Sequence, residues 1–306
     1  MRKLAAGLVG VVMAAGALPA GVATAGTAGT TAPPPFCQLA LGSTTSGGDL
    51  ILRVLSGTVP PSAGASTWGG KDLLPDDQLT VAGGLGLQVN ADQSGVSRRQ
   101  YVVLGSTLNL LTYDVKGFGG EVDPASVKRT PVGGGWGDAR YLENSRFNVG
   151  TKLVRNSAYA VIGDNIMRWS VDGTSFTRKA TYPGFSAVKT MTLISQTSTY
   201  DTFLANTRAG ALYTIRIPVS GKAVVKVVRR STWQGFEALV ASKCGTGTLL
   251  LGVDKETGAP YLYTVGHANG EATVIKGLGK VPRTFGEVAY SRYYDDTQDY
   301  DQLSGE

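Results

Sequence analysis

Histidine is almost missing from this 306-residue chain, which contains only His267. Mechanisms that use a histidine base can therefore rest on that one residue, and a metal site built from several His and Cys ligands is disfavoured. His267 lies in a Gly-His-Ala-Asn run that is typical of a turn, and no Gly-x-Ser-x-Gly motif is present. We expect no cofactor, no metal and, on balance, no catalytic residue.

The chain also lacks a dense block of Lys and Arg and, beyond its first 25 residues, a helical apolar stripe or a long apolar run. Phosphate backbones are bound by clustered cations, so a nucleic-acid partner is not expected. The formal charge is +6, and it falls to +4 without Arg2 and Lys3.

Residues 1–25 have the composition of a secretory signal. Arg2 and Lys3 precede an apolar run rich in Ala and Gly, and the small residues that end at Ala25 suit a signal peptidase. A membrane anchor is the alternative, because the run is long enough to span a bilayer. We predict cleavage after Ala25, an extracellular protein with no membrane contact, and a flexible Thr/Gly/Pro linker over residues 26–35.

Cysteine is scarce as well, with two copies, Cys37 and Cys244. An even number in an oxidising compartment favours a disulfide, and two separate buried thiols are the alternative.

Short runs rich in β-branched and aromatic residues fill residues 36–294, separated by many of the 42 glycines. A Gly-aromatic stretch recurs at intervals of about fifty residues and each time leads into an apolar strand; the copies end at Ala139, Ala187, Ala238 and Val288. Units of this length with four short strands are typical of propeller blades.

We therefore predict one all-β domain over residues 36–294, a β-propeller of five four-stranded blades whose N- and C-terminal strands share one blade. The last repeat starts a unit that the chain does not finish, and the N-terminal strands supply what it lacks. In this arrangement a bridge between Cys37 and Cys244 would fasten the shared blade to its neighbour. A β-sandwich with a second β domain and a six-bladed ring are the alternatives.

The run from Gly134-Gly135-Trp136 to Tyr141-Leu142, followed by the strands around Tyr159 and Ile166–Trp169, resembles the tachylectin-2-like five-bladed propeller lectins. The resemblance covers most of residues 85–285. It implies binding of N-acetylated sugars at repeated shallow sites between blades.

Candidate ligand-binding residues follow from the same repeats. An aromatic face beside polar groups suits a sugar, and the repeats supply such pairs: Trp136, Asp138, Phe185, Trp233, Glu237, Phe285 and Glu287. Packing between blades is the alternative for the aromatic side chains. Trp68, in a Gly-rich insertion, is expected to be exposed.

Three functions remain open at this point. We favour a non-catalytic, lectin-like protein that binds glycans of a cell wall or matrix. A glycoside hydrolase is the first alternative, since Asp138, Glu237 and Glu287 share one column of the repeat and Glu143 lies close by. The second is a protein-binding extracellular scaffold. Residues 295–306 are interpreted as a solvated acidic tail rather than a calcium site.

Overall fold

A computed structural model describes residues 37–117, 120–297, 300 and 302–306. The predicted signal peptide (1–25) and linker (26–35) lie outside the described residues. Within those ranges the regular structure consists of 22 β-strands and one 3₁₀ turn, Pro124–Ser126. No described helix is long and apolar enough to cross a membrane. The prediction of an all-β chain is confirmed.

The strands fall into five consecutive groups, each built as an antiparallel meander. The first strands after Cys37 are β1 Gln38–Thr44, β2 Leu50–Ser56, β3 Ser62–Ala63 and β4 Thr67–Gly70. Group A follows, with β5 Leu79–Ala82, β6 Leu85–Val89, β7 Gly95–Leu104, β8 Thr107–Lys116 and β9 Lys128–Gly134. Both β5 and β6 pair with β7, so together they form one interrupted edge strand.

Three regular four-stranded meanders come next. Group B contains β10 Ala139–Val149, β11 Lys152–Ile162, β12 Asn165–Asp172 and β13 Ser175–Pro183. Group C contains β14 Val188–Gln196, β15 Tyr200–Thr207, β16 Leu212–Pro218 and β17 Val224–Arg229. Group D contains β18 Ala238–Cys244, β19 Gly247–Asp254, β20 Ala259–Val265 and β21 Ile275–Lys280.

The first and last strands of the described chain pair with each other, as the sequence predicted. Strand β22 (Ala289–Asp295) runs antiparallel to β1, with Ala289 opposite Thr44, so β22 and β1–β4 form group E. The disulfide between Cys37 and Cys244, with 5.3 Å between the Cα atoms, connects group E to group D. This pairing was also predicted.

Groups E and A are hydrogen-bonded to each other, a contact that the sequence did not predict. The C-terminal half of β22 runs parallel to β6, with Tyr293 opposite Leu85, which joins the two groups into a ten-stranded sheet. Glycine makes this approach possible. A Cβ on Gly84 would lie 2.8 Å from the Tyr294 ring, and one on Gly86 would lie 2.3 Å from the Asp296 carboxylate.

Five apolar clusters lie between pairs of groups, each built from inward-facing strand residues. Their largest members include Tyr113 between E and A, Trp169 between A and B, Phe203 between B and C, Trp233 between C and D, and Phe285 between D and E. One strand of each group contacts the corresponding strand of the next group, in the same order as the clusters. Strand β10 contacts β5 and β14, β18 contacts β14 and β22, and β22 contacts β5.

The interpretation of residues 295–306 as a solvated acidic tail is wrong for several described residues. Asp296 is 3% exposed and forms an ion pair with Arg99. Leu303 is buried in the cluster between groups B and C. The Gly305 N–H donates to the Ile194 carbonyl, and the Gly305 carbonyl accepts a hydrogen bond from the Ala268 N–H. Acidic side chains stay buried here because cations face them, and Leu303 adds an apolar anchor. Asp299 and Asp301 lie outside the described residues.

Candidate functional site

Three of the four aromatic residues predicted to bind sugar lie between the groups. Trp136 is 6% exposed and stacks on Trp169 with 5.0 Å between ring centroids. Trp233 is equally buried, and Phe285 is 1% exposed. Large rings fill the wedge between twisted sheets, which is the packing role that the sequence left open. These three rings offer no free face to a ligand.

Phe185, the fourth predicted aromatic residue, has a different position. It is half-buried and lines an open cleft of about 760 Å³ between groups B and C. Tyr213 and the buried Tyr182 line the same cleft, together with Thr207 and Lys222. This cleft therefore combines aromatic and polar groups in the proportion that small ligands require.

The predicted acidic residues do not share one environment. Asp138 is exposed. The Glu237 carboxylate forms an ion pair with Lys189 and accepts a hydrogen bond from the backbone N–H of Lys255. Glu287 is 7% exposed, and its carboxylate is paired with the Arg53 guanidinium.

Residues in or next to β5, β10, β14, β18 and β22 line a narrow channel, and Glu143 and Glu237 are among them. Burial raises the pKa of Glu143, although the nearby Arg292 acts in the opposite direction. Burial lowers the pKa of Lys255, against the attraction of Glu237. The channel leaves about 70 Å³ open to water-sized molecules, far below the roughly 300–1,000 Å³ of typical small-ligand pockets. A sugar ring has no room between these carboxylates, which disfavours a hydrolase at the centre.

Trp68 is the most exposed of the described tryptophans, with 57% of its surface accessible, as its place in the insertion predicted. It extends from β4, an edge strand of group E, and the Lys71 amine lies 5.1 Å from its ring centroid. Trp68 was not among the residues predicted to bind a ligand. Its place in a Gly-rich insertion, where an exposed ring is expected, is the feature of the sequence that could have identified it.

Two clefts meet at Trp68. The outer cleft, about 950 Å³, is lined by Trp68, Lys71, Asp72, Glu121 and Arg129, among others. The inner cleft, about 350 Å³, lies between groups E and A and is lined by Ala40, Leu52, Arg53, Val54, Gly64, Ala65, Thr67, Trp68, Arg98 and Tyr293. An apolar ring is thereby placed at the border of two concave surfaces that carry charged groups.

Glycine shapes the inner cleft. Gly69 packs so closely on Leu50 that a Cβ would lie 2.7 Å from the Leu50 side chain. Its carbonyl accepts a hydrogen bond from Arg98 Nη1 at 2.8 Å. A larger residue at position 69 would require the Leu50 side chain, or β4 itself, to shift.

No protein-family model matches this chain, and no curated protein is detectably similar in sequence. Solved structures are similar in shape. A fungal lectin from Aleuria aurantia, a six-bladed β-propeller that recognises fucose, shows 16% identity and a TM-score of 0.46 over 83% of this chain and 85% of its own. The lectin BP39L from Burkholderia pseudomallei shows 16% identity and a TM-score of 0.37, covering 79% and 70% of the two chains.

A crystal structure titled as a putative 6-phosphogluconolactonase, from Bacteroides fragilis, is also similar, with 9% identity, a TM-score of 0.41 and coverage of 83% and 98%. Similarities of this size establish neither a family nor a function. The structural neighbours thus include β-propeller lectins, and the resemblance to tachylectin-2 in particular stays a prediction.

Proposed function

We propose that the five groups form the blades of a five-bladed propeller. The support comes from the order of contacts: each group packs on the next through one apolar cluster, and group E, built from the first and last strands, packs on both D and A. The parallel pairing of β22 with β6 is then a contact between neighbouring blades near the channel.

On this framework the protein acts as a non-catalytic carbohydrate-binding module. The observation that carries the proposal is Trp68, an exposed indole at the border of two clefts that also hold cationic and hydroxyl groups. Sugars are bound by an apolar platform with a few placed polar groups, and an indole is the largest such platform among side chains. The cleft at Phe185 would be a second site of the same kind.

Export is part of the proposal. The Cys37–Cys244 disulfide is the state that oxidising compartments favour, which suits an extracellular protein released after Ala25. Glycans of a cell wall or matrix would then be the accessible ligands, and N-acetylated sugars are the class that the tachylectin-2 resemblance suggests.

The test is a glycan array probed with the mature chain (from Gly26) and with Trp68→Ala. We expect selective, sugar-competable binding without release of reducing ends, and at least a tenfold loss of affinity in Trp68→Ala, because buried tryptophans at interfaces dominate binding energy. Val149→Ala is the matched control, since Val149 is 60% exposed in a different group.

Three outcomes contradict the proposal in different ways. Binding that is equal in wild type and Trp68→Ala would remove Trp68 from the site. Release of reducing ends would favour the hydrolase. No glycan binding at all would leave the protein-binding scaffold as the better interpretation.

A further inference from the structure

Arg98 is a buried cation without a carboxylate partner. Its side chain lies in the core between groups E and A, and the residue is 3% exposed. Nη1 donates to the Gly69 carbonyl, while Nε has no hydrogen-bond partner. Among the described residues no Asp or Glu forms an ion pair with it, whereas the buried Arg53 and the half-buried Arg155 are each paired with a carboxylate. The buried Arg168 has no carboxylate among the described ion pairs either, but both of its Nη groups donate to the carbonyls of Pro218 and Val219.

Such a group is costly to bury. An unpaired charge and an unsatisfied donor each oppose folding, so a buried guanidinium normally has an acceptor on each edge. Tyr113 and Tyr293 lie beside Arg98, with the guanidinium carbon 5.9 Å and 5.4 Å from the ring centroids. These rings stabilise the cation, but they do not accept the Nε hydrogen in its own plane.

A second unsatisfied donor lies next to it. The Tyr113 hydroxyl is buried and has no hydrogen-bond partner. Burial raises the pKa of Tyr113 to about 12, so the hydroxyl keeps its proton at neutral pH. A neutral hydroxyl brings no negative charge to Arg98, so the charge of the guanidinium stays uncompensated on this side.

The inner cleft gives access to Arg98. Arg53 and Arg98 both line it, and no described Asp or Glu does. The carboxylate of Glu287 is paired with Arg53 and neutralises its charge. Arg98 is therefore the cation of this cleft whose charge no described carboxylate balances. Trp68 lies at the border of the same cleft, and the volume of about 350 Å³ suits one sugar ring with a substituent.

We propose that the inner cleft binds the anionic substituent, carboxylate or sulfate, of an acidic saccharide, with Arg98 as the residue that recognises the charge. This inference rests on the proposed carbohydrate-binding function. The planar guanidinium supplies the fork of donors that the anion requires, and Trp68 packs on the sugar ring.

The experiment is isothermal titration of the mature wild-type chain with matched probes: a uronic-acid oligosaccharide, its methyl ester, the corresponding neutral hexose oligosaccharide, and a sulfated form of that hexose. We expect the acid or the sulfated form to bind ten- to a hundredfold more tightly than the ester and the neutral sugar, which is the range for hydrogen bonds to charged groups. Whichever anionic probe is preferred identifies the substituent.

Arg98→Gln should reduce that preference to less than about threefold and leave the weak binding of the neutral sugar in place. Arg129→Gln is the matched control, because it removes the same charge from the outer cleft. If Arg98→Gln does not fold, Arg98→Lys replaces it, because lysine keeps the positive charge but lacks the planar donor fork. The comparison of the acid with its methyl ester in the wild type then still tests whether the cleft prefers an anion.

The outcomes separate this inference from the function on which it rests. Equal affinity for acid, ester, sulfated and neutral sugar, with Trp68 still required, would overturn the anion site and leave carbohydrate binding intact. A preference that is lost in Arg129→Gln and kept in Arg98→Gln would also overturn it. No binding of any probe, together with no effect of Trp68→Ala on a glycan array, would be a failure of the proposed function itself.

Discussion

The Cys37–Cys244 disulfide fastens the group that contains the first and last strands of the described chain. Cys37 is buried in the cluster between groups D and E, and its carbonyl accepts a hydrogen bond from Gly57. The bond spans 207 residues of sequence, about three-quarters of residues 37–306. Its removal frees a long loop in the unfolded chain, so the effect on stability should be large.

The magnitude follows from the entropy of loop closure. For a loop of this length the chain-entropy relation gives about 18 cal/mol/K, or about 5 kcal/mol at 25 °C, as an upper bound. Domains are usually stable by about 5–15 kcal/mol, so a loss of about 3–5 kcal/mol would take much of the margin. Because the unfolded chain also expands, the slope of the unfolding free energy against denaturant should increase.

The assay is urea unfolding of the oxidised wild type, the reduced wild type and the double variant Cys37→Ala/Cys244→Ala. The double variant and the reduced protein should unfold at the same lower midpoint, with a steeper slope than the oxidised protein. A midpoint that does not change on reduction would refute the reasoning. It would mean that the residues packed between groups D and E hold these two groups together without the covalent bond.

Two further predictions concern the interior. Trp136→Ala should lower the free energy of unfolding by about 3–5 kcal/mol, since it leaves a cavity at a buried site. Trp68→Ala should change the free energy of unfolding by less than about 0.5 kcal/mol, and urea unfolding measures both values. A Trp136→Ala protein that has normal stability but does not bind glycan would make Trp136 a sugar-binding residue after all. Glu143→Gln tests the raised pKa of Glu143: the folded protein holds that proton more tightly, so ionisation costs stability as the pH rises through the folded pKa, and the variant should gain in melting temperature relative to wild type between pH 4 and pH 7. A difference that is the same at both pH values would contradict the assignment.

The repeats in the sequence located the group starts well, because they are local features. The Gly-aromatic stretches end at Ala139, Ala187, Ala238 and Val288, and strands β10, β14, β18 and β22 begin at those residues or one residue later. Gly and aromatic residues mark the turn that enters each group, and such turns are set by neighbouring residues. The pairing of the first and last strands was predictable for a related reason, since a unit left incomplete at one end needs strands from the other.

The candidate site was less predictable, because equivalent positions of the repeat have different partners in space. Asp138 is exposed, Glu237 meets Lys189 from the preceding group, and Glu287 meets Arg53, which lies 234 residues earlier in the chain. Three acidic residues at equivalent positions of the repeat are therefore alike in sequence but lie in three different electrostatic environments in the fold. The aromatic positions were ambiguous in the same way, since a ring that could bind sugar and a ring that fills the core have the same spacing.

The departures from the repeat are where the proposed site lies. Trp68 belongs to the insertion in group E, and Arg98 has no counterpart that the repeats would single out. Arg98 is 29 residues from the Gly69 carbonyl that it contacts, and the fit depends on Gly69 lacking a Cβ where β4 crosses Leu50. Neither fact is visible in local composition. A repeated scaffold builds its core from the residues that its units share, so a function specific to one cleft is expected where a unit differs. Trp68 of group E and Arg98 of group A line the same cleft between these two groups.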